Sequence, residues 1–145
     1  MKIKRKGGFL ISQIHQISGR ILARKLRIHK IKINPGQGRI LFALWEKDEI
    51  SIRDLAKRTS LGKSTLSFML KRMRDEGYLK FEHPPGNERT KLVYVLQQSK
   101  QIELSFQKLS DEMNSIYYKD FTNEEITEFE KNLERVLHNL DEHKD

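Results

Sequence analysis

Leu61–Gly77, LGKSTLSFMLKRMRDEG, is the stretch from which the fold is read. At helical spacing Leu66, Met69, Leu70 and Met73 fall at i, i+3, i+4 and i+7, one apolar stripe that requires a core. The other side carries Lys63, Ser64, Ser67, Phe68 and Lys71, with Arg72 and Arg74 near its edges and no carboxylate before Asp75. A solvated helix mixes signs so that i, i+4 neighbours pair. This one is suited to approach an anion. Gly62 is tolerated as the N-cap, and Gly77 is a natural residue just past the C-terminus.

Upstream, Ser51-Ile-Arg-Asp54 reads as a capping box opening a short helix, Ile52–Thr59, with Ile52, Leu55 and Ala56 turned inward. Two short helices joined by Thr59–Gly62 form a helix-turn-helix pattern, whose second helix enters the major groove through its N-terminal residues. The plainer alternative is a charged surface helix in a helical domain.

At 145 residues the chain suffices for one domain, or for a compact module with an oligomerisation element. No apolar run approaches the roughly 20 residues of a membrane span, and no signal-peptide core is present. A soluble, cytoplasmic protein with no membrane partner is expected. The absence of cysteine excludes disulfides, thiolate zinc sites and thiol redox switches. The net charge of +8 is unevenly spread: residues 1–97 hold 22 Lys/Arg against 8 Asp/Glu, and residues 98–145 hold 6 against 12. The basic part contains the helix-turn-helix pattern, and phosphate neutralisation accounts most simply for that segregation.

From the N-terminus, Met1–Gly8 is a basic arm (Lys2, Lys4, Arg5, Lys6) ending in Gly-Gly. Phe9–Lys30 reads as an amphipathic helix with Leu10, Ile14, Ile17 and Ile21 on one side and, more loosely, Leu26 and Ile28. Cations gather in its last turns, where the helix dipole favours them. Asn34-Pro35 starts the next helix, Gly36–Glu46, with Ile40, Leu41, Leu44 and Trp45 as core candidates. Glu49–Ser51 is a strand stub. Leu79–His83 and Lys91–Leu96 read as two strands around Pro84-Pro-Gly-Asn-Glu-Arg-Thr90, a hairpin wing whose Arg89 reaches either a narrow minor groove or only solvent. Gln98–Lys119 is amphipathic through Ile102, Phe106, Leu109, Met113, Ile116 and Tyr117. Thr122-Asn-Glu-Glu125 opens a last helix with Ile126, Phe129, Leu133, Val136, Leu137 and Leu140. That much apolar surface calls for a partner; the first helix of the same chain could use part of it, and a second subunit fits it better.

In order and spacing these pieces resemble the MarR family of winged helix-turn-helix transcriptional regulators. The likeness runs from Phe9 to about Leu140. It is densest at Ile52–Arg58, Lys63–Ser67, Lys71–Leu79 and Asn87–Val93. It implies a mostly α fold with a small β-wing: a winged helix-turn-helix flanked by N- and C-terminal dimerisation helices. It also implies an obligate homodimer on pseudo-palindromic double-stranded DNA, often released by a small aromatic or phenolic effector. Ser64 and Thr65 match positions that bond phosphate, Ser67 and Phe68 positions that face base edges, and Arg89 the wing arginine. The chain departs from the family with Gly62 for the usual capping Ser, Phe68 where Arg is common, Asn87 for Asp in the wing, and Leu96-Gln97 for Leu-Thr. An apolar ring at position 68 offers contact to thymine methyls in place of bonds to guanine.

The resulting expectation divides the chain into an arm and dimerisation helix (1–34), a DNA-binding module (35–97) and C-terminal dimerisation helices (98–145). DNA contacts fall to Lys63, Ser64, Thr65, Ser67, Phe68, Lys71, Arg72, Arg89 and Lys91, with Arg72 open to an intramolecular salt bridge instead. The dimer interface falls to Leu10, Ile14, Ile17, Ile126, Phe129, Leu133, Val136, Leu137 and Leu140. No enzyme, cofactor or metal is expected. Gly62-Lys-Ser-Thr65 mimics the end of a P-loop, but Lys57 stands where that pattern needs glycine and a helix precedes it instead of a strand. No nucleophile elbow is present. Two alternatives stand beside a repressor: a metal-responsive regulator using His138, Asp141, Glu142 and His143, and a protein-interaction module with no DNA role. His15 and His29 either line a ligand pocket or are simply exposed.

Overall fold

The computed structural model describes residues 3–145 in two compact units, one running to Ser110 and one starting at Asp111. Met1 and Lys2 of the expected arm lie outside the described residues.

The first unit contains α1 (Gly7–Ile28), α2 (Pro35–Glu46), β1 (Ile50–Ser51), α3 (Ile52–Thr59), α4 (Lys63–Asp75), β2 (Leu79–Glu82), β3 (Leu92–Val95) and the start of α5 (Gln97–Tyr117). Helix α1 differs from the expected Phe9–Lys30 at both ends. Gly7 and Gly8 belong to its first turn, where N–H groups lack intrahelical acceptors in any case, and the Lys6 carbonyl accepts the Leu10 N–H at 2.9 Å. At the far end Lys30 adopts the left-handed conformation, φ 57°. Its N–H bonds to Arg27 and the Ile31 N–H bonds to the Leu26 carbonyl, the Schellman closure. Leu26 and Ile31, which that closure pairs, are both buried. Helix α4 ends in the same way on Gly77, φ +87°, with the Tyr78 N–H on the Met73 carbonyl at 2.9 Å.

The helix starts follow their caps. Asn34 Oδ1 accepts the Gln37 N–H at 2.8 Å and Gln37 Oε1 accepts the Asn34 N–H at 3.0 Å, a reciprocal box with Pro35 behind it. Ser51 Oγ accepts the Asp54 N–H at 3.1 Å, the forward half of the expected box. Helix α5 begins one residue before expectation, because the Leu96 carbonyl accepts both the Ser99 N–H and the Ser99 hydroxyl, which burial then fixes.

Ile40, Leu41 and Leu44 from α2, Leu55 from α3, Leu66, Leu70 and Met73 from α4, and Val93 from β3 are all 0 % exposed and form the core. Trp45 packs at its edge, its ring 5.5 Å from that of Phe106. The strands form an antiparallel sheet in the order β1-β3-β2, with Ile50 opposite Val93 and Phe81 opposite Val93 from the other side. Asp48 Oδ1 accepts the Val95 N–H at 3.0 Å and so ties the turn before β1 to β3. The wing therefore grows from the same core that seats α4.

One close approach within this unit yields a stability test. A Cβ on Gly38 would lie 2.6 Å from two ring atoms of Phe106, and that ring is buried with Trp45 at its side. Gly38→Ala is therefore expected to destabilise the fold by about 1–3 kcal/mol through overpacking, despite alanine's better helix propensity. Thermal melting checks it; an unchanged or raised midpoint would show that Phe106 yields freely.

The second unit comprises the end of α5 and helix α6 (Asn123–Asp141). The chain turns at Asp120, φ 66°, and Thr122 and Glu125 close a reciprocal capping box. Tyr118 donates its hydroxyl to Glu130 Oε2 at 2.6 Å and packs edge-on against Phe121 and Phe129. Burial, reinforced by the Glu130 carboxylate, pushes the Tyr118 phenol up to about 12, so it keeps its proton and goes on donating at neutral pH. No residue of α6 is buried.

Candidate nucleic-acid interface

The turn between α3 and α4 is set by Ser60, which ends α3 in the left-handed region at φ 59°. Thr59 Oγ1 donates back to the Leu55 carbonyl at 2.9 Å and anchors the turn. Gly62 follows as an N-cap with no side chain to satisfy the first N–H groups of α4, which stay available beside the positive end of the helix dipole. Burying Leu66, Leu70 and Met73 then turns the opposite face outward. Lys63, Ser64, Thr65, Phe68, Lys71 and Arg72 are exposed there, Phe68 to 65 %, and Ser67 is half-buried. The first turn of α4 holds no acid.

The two arginines of α4 are partly engaged. Arg72 Nε lies 3.8 Å from Glu76 Oε1, a surface pair at i, i+4. Such pairs are worth about 0.3–0.5 kcal/mol, too little to hold Arg72 from a phosphate. Arg74 contacts Asp75 at 3.4 Å and sits over the Phe81 ring, 5.3 Å from its centre. Lys91 lies 5.7 Å from the same centre. Phe81 on β2 thus has cations from α4 and from the chain leading into β3 against its ring, and Lys91, expected as a DNA contact, leans toward it.

The wing tip is internally braced. The Asn87 N–H bonds to the Pro84 carbonyl at 3.0 Å across a turn in which Gly86 has φ +77°. Asn87 Oδ1 accepts the Arg89 N–H at 3.2 Å and its amide donates to Thr90 Oγ1 at 3.1 Å. Asparagine therefore organises the tip where the family commonly has aspartate. The Arg89 side chain is exposed and, among the described residues, has no ion-pair partner.

Lys47, Ile50, Asp54, Lys57 and Arg58, none of them an expected contact, line a basic cleft of about 340 Å³. Lys57 and Arg58 end α3, where two adjacent cations are an ordinary helix-terminal signal. Lys47, at the end of α2, lines the same cleft. In the metal alternative, His138 Nε2 meets Glu142 Oε1 at 3.2 Å and Asp141 meets Lys144 at 3.1 Å. Among the described residues no three His, Asp or Glu side chains gather as a metal site. His15 Nδ1 lies 3.4 Å from Arg39 Nη2, while His29 caps the end of α1.

Residues 33–91, from the buried Ile33 through the wing, match the family model described as the MarR family. The match to that family spans the helix-turn-helix and the wing. It is 24 % identical over 106 residues to the HTH-type transcriptional regulator MgrA of Staphylococcus aureus, covering 73 % of this chain and 71 % of that protein. Its fold is similar to a mutant E. coli MarR complexed with operator DNA: TM-score 0.79, 24 % identity, 90 % of this chain and 92 % of the other. It is likewise similar to Bordetella bronchiseptica BpsR, whose DNA binding is regulated by 6-hydroxynicotinic acid: TM-score 0.80, 17 % identity, 91 % and 98 % covered. MarR-family proteins are transcriptional regulators rather than enzymes, and this chain shares the winged helix-turn-helix fold of these neighbours. Among its described residues no helix is long and apolar enough to cross a membrane.

Proposed function

We propose that the protein is a cytoplasmic repressor that binds a pseudo-palindromic operator as a homodimer. The observation that carries this reading is the outward face of α4, free of acids from Lys63 to Arg74, held out by the burial of Leu66, Leu70 and Met73 and flanked by Arg89 on the wing, which among the described residues has no ion-pair partner. Two such helices in successive major grooves sit about 34–36 Å apart. Lys63, Ser64, Thr65, Lys71 and Arg72 set register through phosphates, and Ser67 and Phe68 face the bases. Arg89 enters the flanking minor groove, with Lys91 behind it. The labour divides as 1–34 for the arm and a dimerisation helix, 35–97 for DNA and 98–145 for further dimerisation.

Two apolar faces support the dimer. Leu10, Ile14 and Ile17 on α1 are 50 %, 49 % and 48 % exposed; on α6 the stripe Phe129, Leu133, Val136, Leu137 and Leu140 is exposed throughout, with Ile126 half-buried. Faces of this extent are rarely left to water. Release by a small aromatic or phenolic effector is the regulatory half of the proposal, acting as a population shift between two helix spacings. The DNA binding of BpsR is regulated by 6-hydroxynicotinic acid.

Binding to duplex DNA across a salt series tests the reading. A dimer that neutralises six or more phosphates gives a log–log slope of about −5 or steeper. A flat slope would identify an interaction module with no DNA role.

A further inference from the structure

Phe68 stands at the centre of the outward face of α4. Ser64 and Thr65 precede it by four and three residues, and Lys71 and Arg72 follow by three and four, which makes them its immediate neighbours on the helix surface. All four are exposed and polar, while Phe68 itself is 65 % exposed and, among the described residues, is stacked against no ring and no cation. A ring left largely in water adds little to the fold. Its placement at the middle of a cationic face marks it as a contact.

The chemistry of the ring narrows what it contacts. It offers neither a donor nor an acceptor, so it gains nothing from the oxygen, nitrogen and amino groups of guanine, cytosine or adenine. In the major groove thymine alone presents an apolar group, its 5-methyl. Lys71 and Arg72, one turn further along, draw in the phosphates that press the ring into the groove. Resting on the duplex-binding reading above, we infer that Phe68 reads a thymine 5-methyl group at one position in each half-site. Because 5-methylcytosine carries its methyl at the equivalent ring position, it satisfies the same contact, and binding responds to cytosine methylation at that step.

The test uses full-length protein and a duplex selected by it from random DNA, with each thymine in turn replaced by deoxyuridine, which lacks only the methyl. One thymine per half-site is expected to weaken binding about fourfold, and both together about 15-fold, the equivalent of about 0.8 kcal/mol for each methyl removed from water. Placing cytosine at that position, with and without the 5-methyl, is expected to give a similar ratio in favour of the methylated base. Phe68→Ala binds the thymine and uracil duplexes alike, and Phe68→Leu keeps part of the preference. Helical circular dichroism and melting confirm that these exposed-site variants remain folded. Equal wild-type binding of thymine and uracil at every position, or undiminished discrimination by Phe68→Ala, would overturn the inference and leave the duplex reading standing. Failure of the wild type to hold any duplex even at low salt would remove the duplex reading itself, and this inference with it.

Discussion

Leu133→Glu is expected to leave the protein monomeric, folded and without measurable affinity for an operator-length duplex at physiological salt. Leu133 is 38 % exposed in the isolated chain, in the middle of a stripe with Phe129, Val136, Leu137 and Leu140 at 39 %, 41 %, 54 % and 65 %. Side chains of this size each contribute about 1.5–3 kcal/mol when taken from full exposure to full burial, and the exposed part of each is what a partner covering the stripe removes from water. An ionised carboxylate at its centre removes one of those contributions. It must also be desolvated, at an effective cost of several kcal/mol. A two-fold interface incurs that cost twice. Helix α6 itself keeps its Thr122 box and its exposed surroundings, so the chain still folds. Light scattering reads the mass and circular dichroism the fold. A variant that is still dimeric would show that α6 is covered by something other than a second copy.

Much of this architecture is legible along the chain because it is local. The stripe Leu66, Met69, Leu70, Met73 fixes which way α4 faces, and in the structure three of the four are completely buried with Met69 packed against the same core. Gly77 marks the end of α4 through a requirement that glycine meets most cheaply. Lys30 does the same work for α1 without glycine, and a lysine in the left-handed region carries no sequence signal. The start of α1 is hidden for a related reason: Gly7 and Gly8 look like a linker, yet a first turn has few internal bonds to lose.

Long-range consequences are the illegible part. Arg74 and Lys91 meet at Phe81 only because β2 and β3 pair in one register, with Phe81 opposite Val93. Gly38 needs its missing side chain because Phe106, far along the chain, occupies that space. The expected stripe on α5 is real in composition but splits: Phe106, Leu109 and Met113 are buried, whereas Ile116 and Tyr117 are 51 % and 43 % exposed. Periodicity states that a face is apolar, and only packing states which part of it the chain itself covers.

Arg89→Ala is expected to weaken operator binding at least about thirtyfold while leaving the dimer and its melting unchanged. An arginine that contacts bases contributes about 1–3 kcal/mol, and a dimer brings two wings, so even the lower bound doubles to about thirtyfold in affinity. The fold is indifferent to the substitution. Arg89 contributes its backbone N–H to Asn87 and nothing from its side chain, and the tip keeps its Pro84–Asn87 turn and the Asn87–Thr90 bond. Loss of two phosphate-proximal charges also lowers the salt slope by about two. Arg89→Lys separates charge from shape. It restores the slope, but its compact ammonium replaces the planar guanidinium suited to a narrow minor groove, so affinity recovers only in part. Fluorescence anisotropy on the selected duplex at several salt concentrations measures both quantities. Unchanged affinity in Arg89→Ala would mean that the wing stands clear of the DNA. In that case the face of α4, together with the Lys47, Lys57 and Arg58 cleft beside α3, would have to carry the whole of the binding.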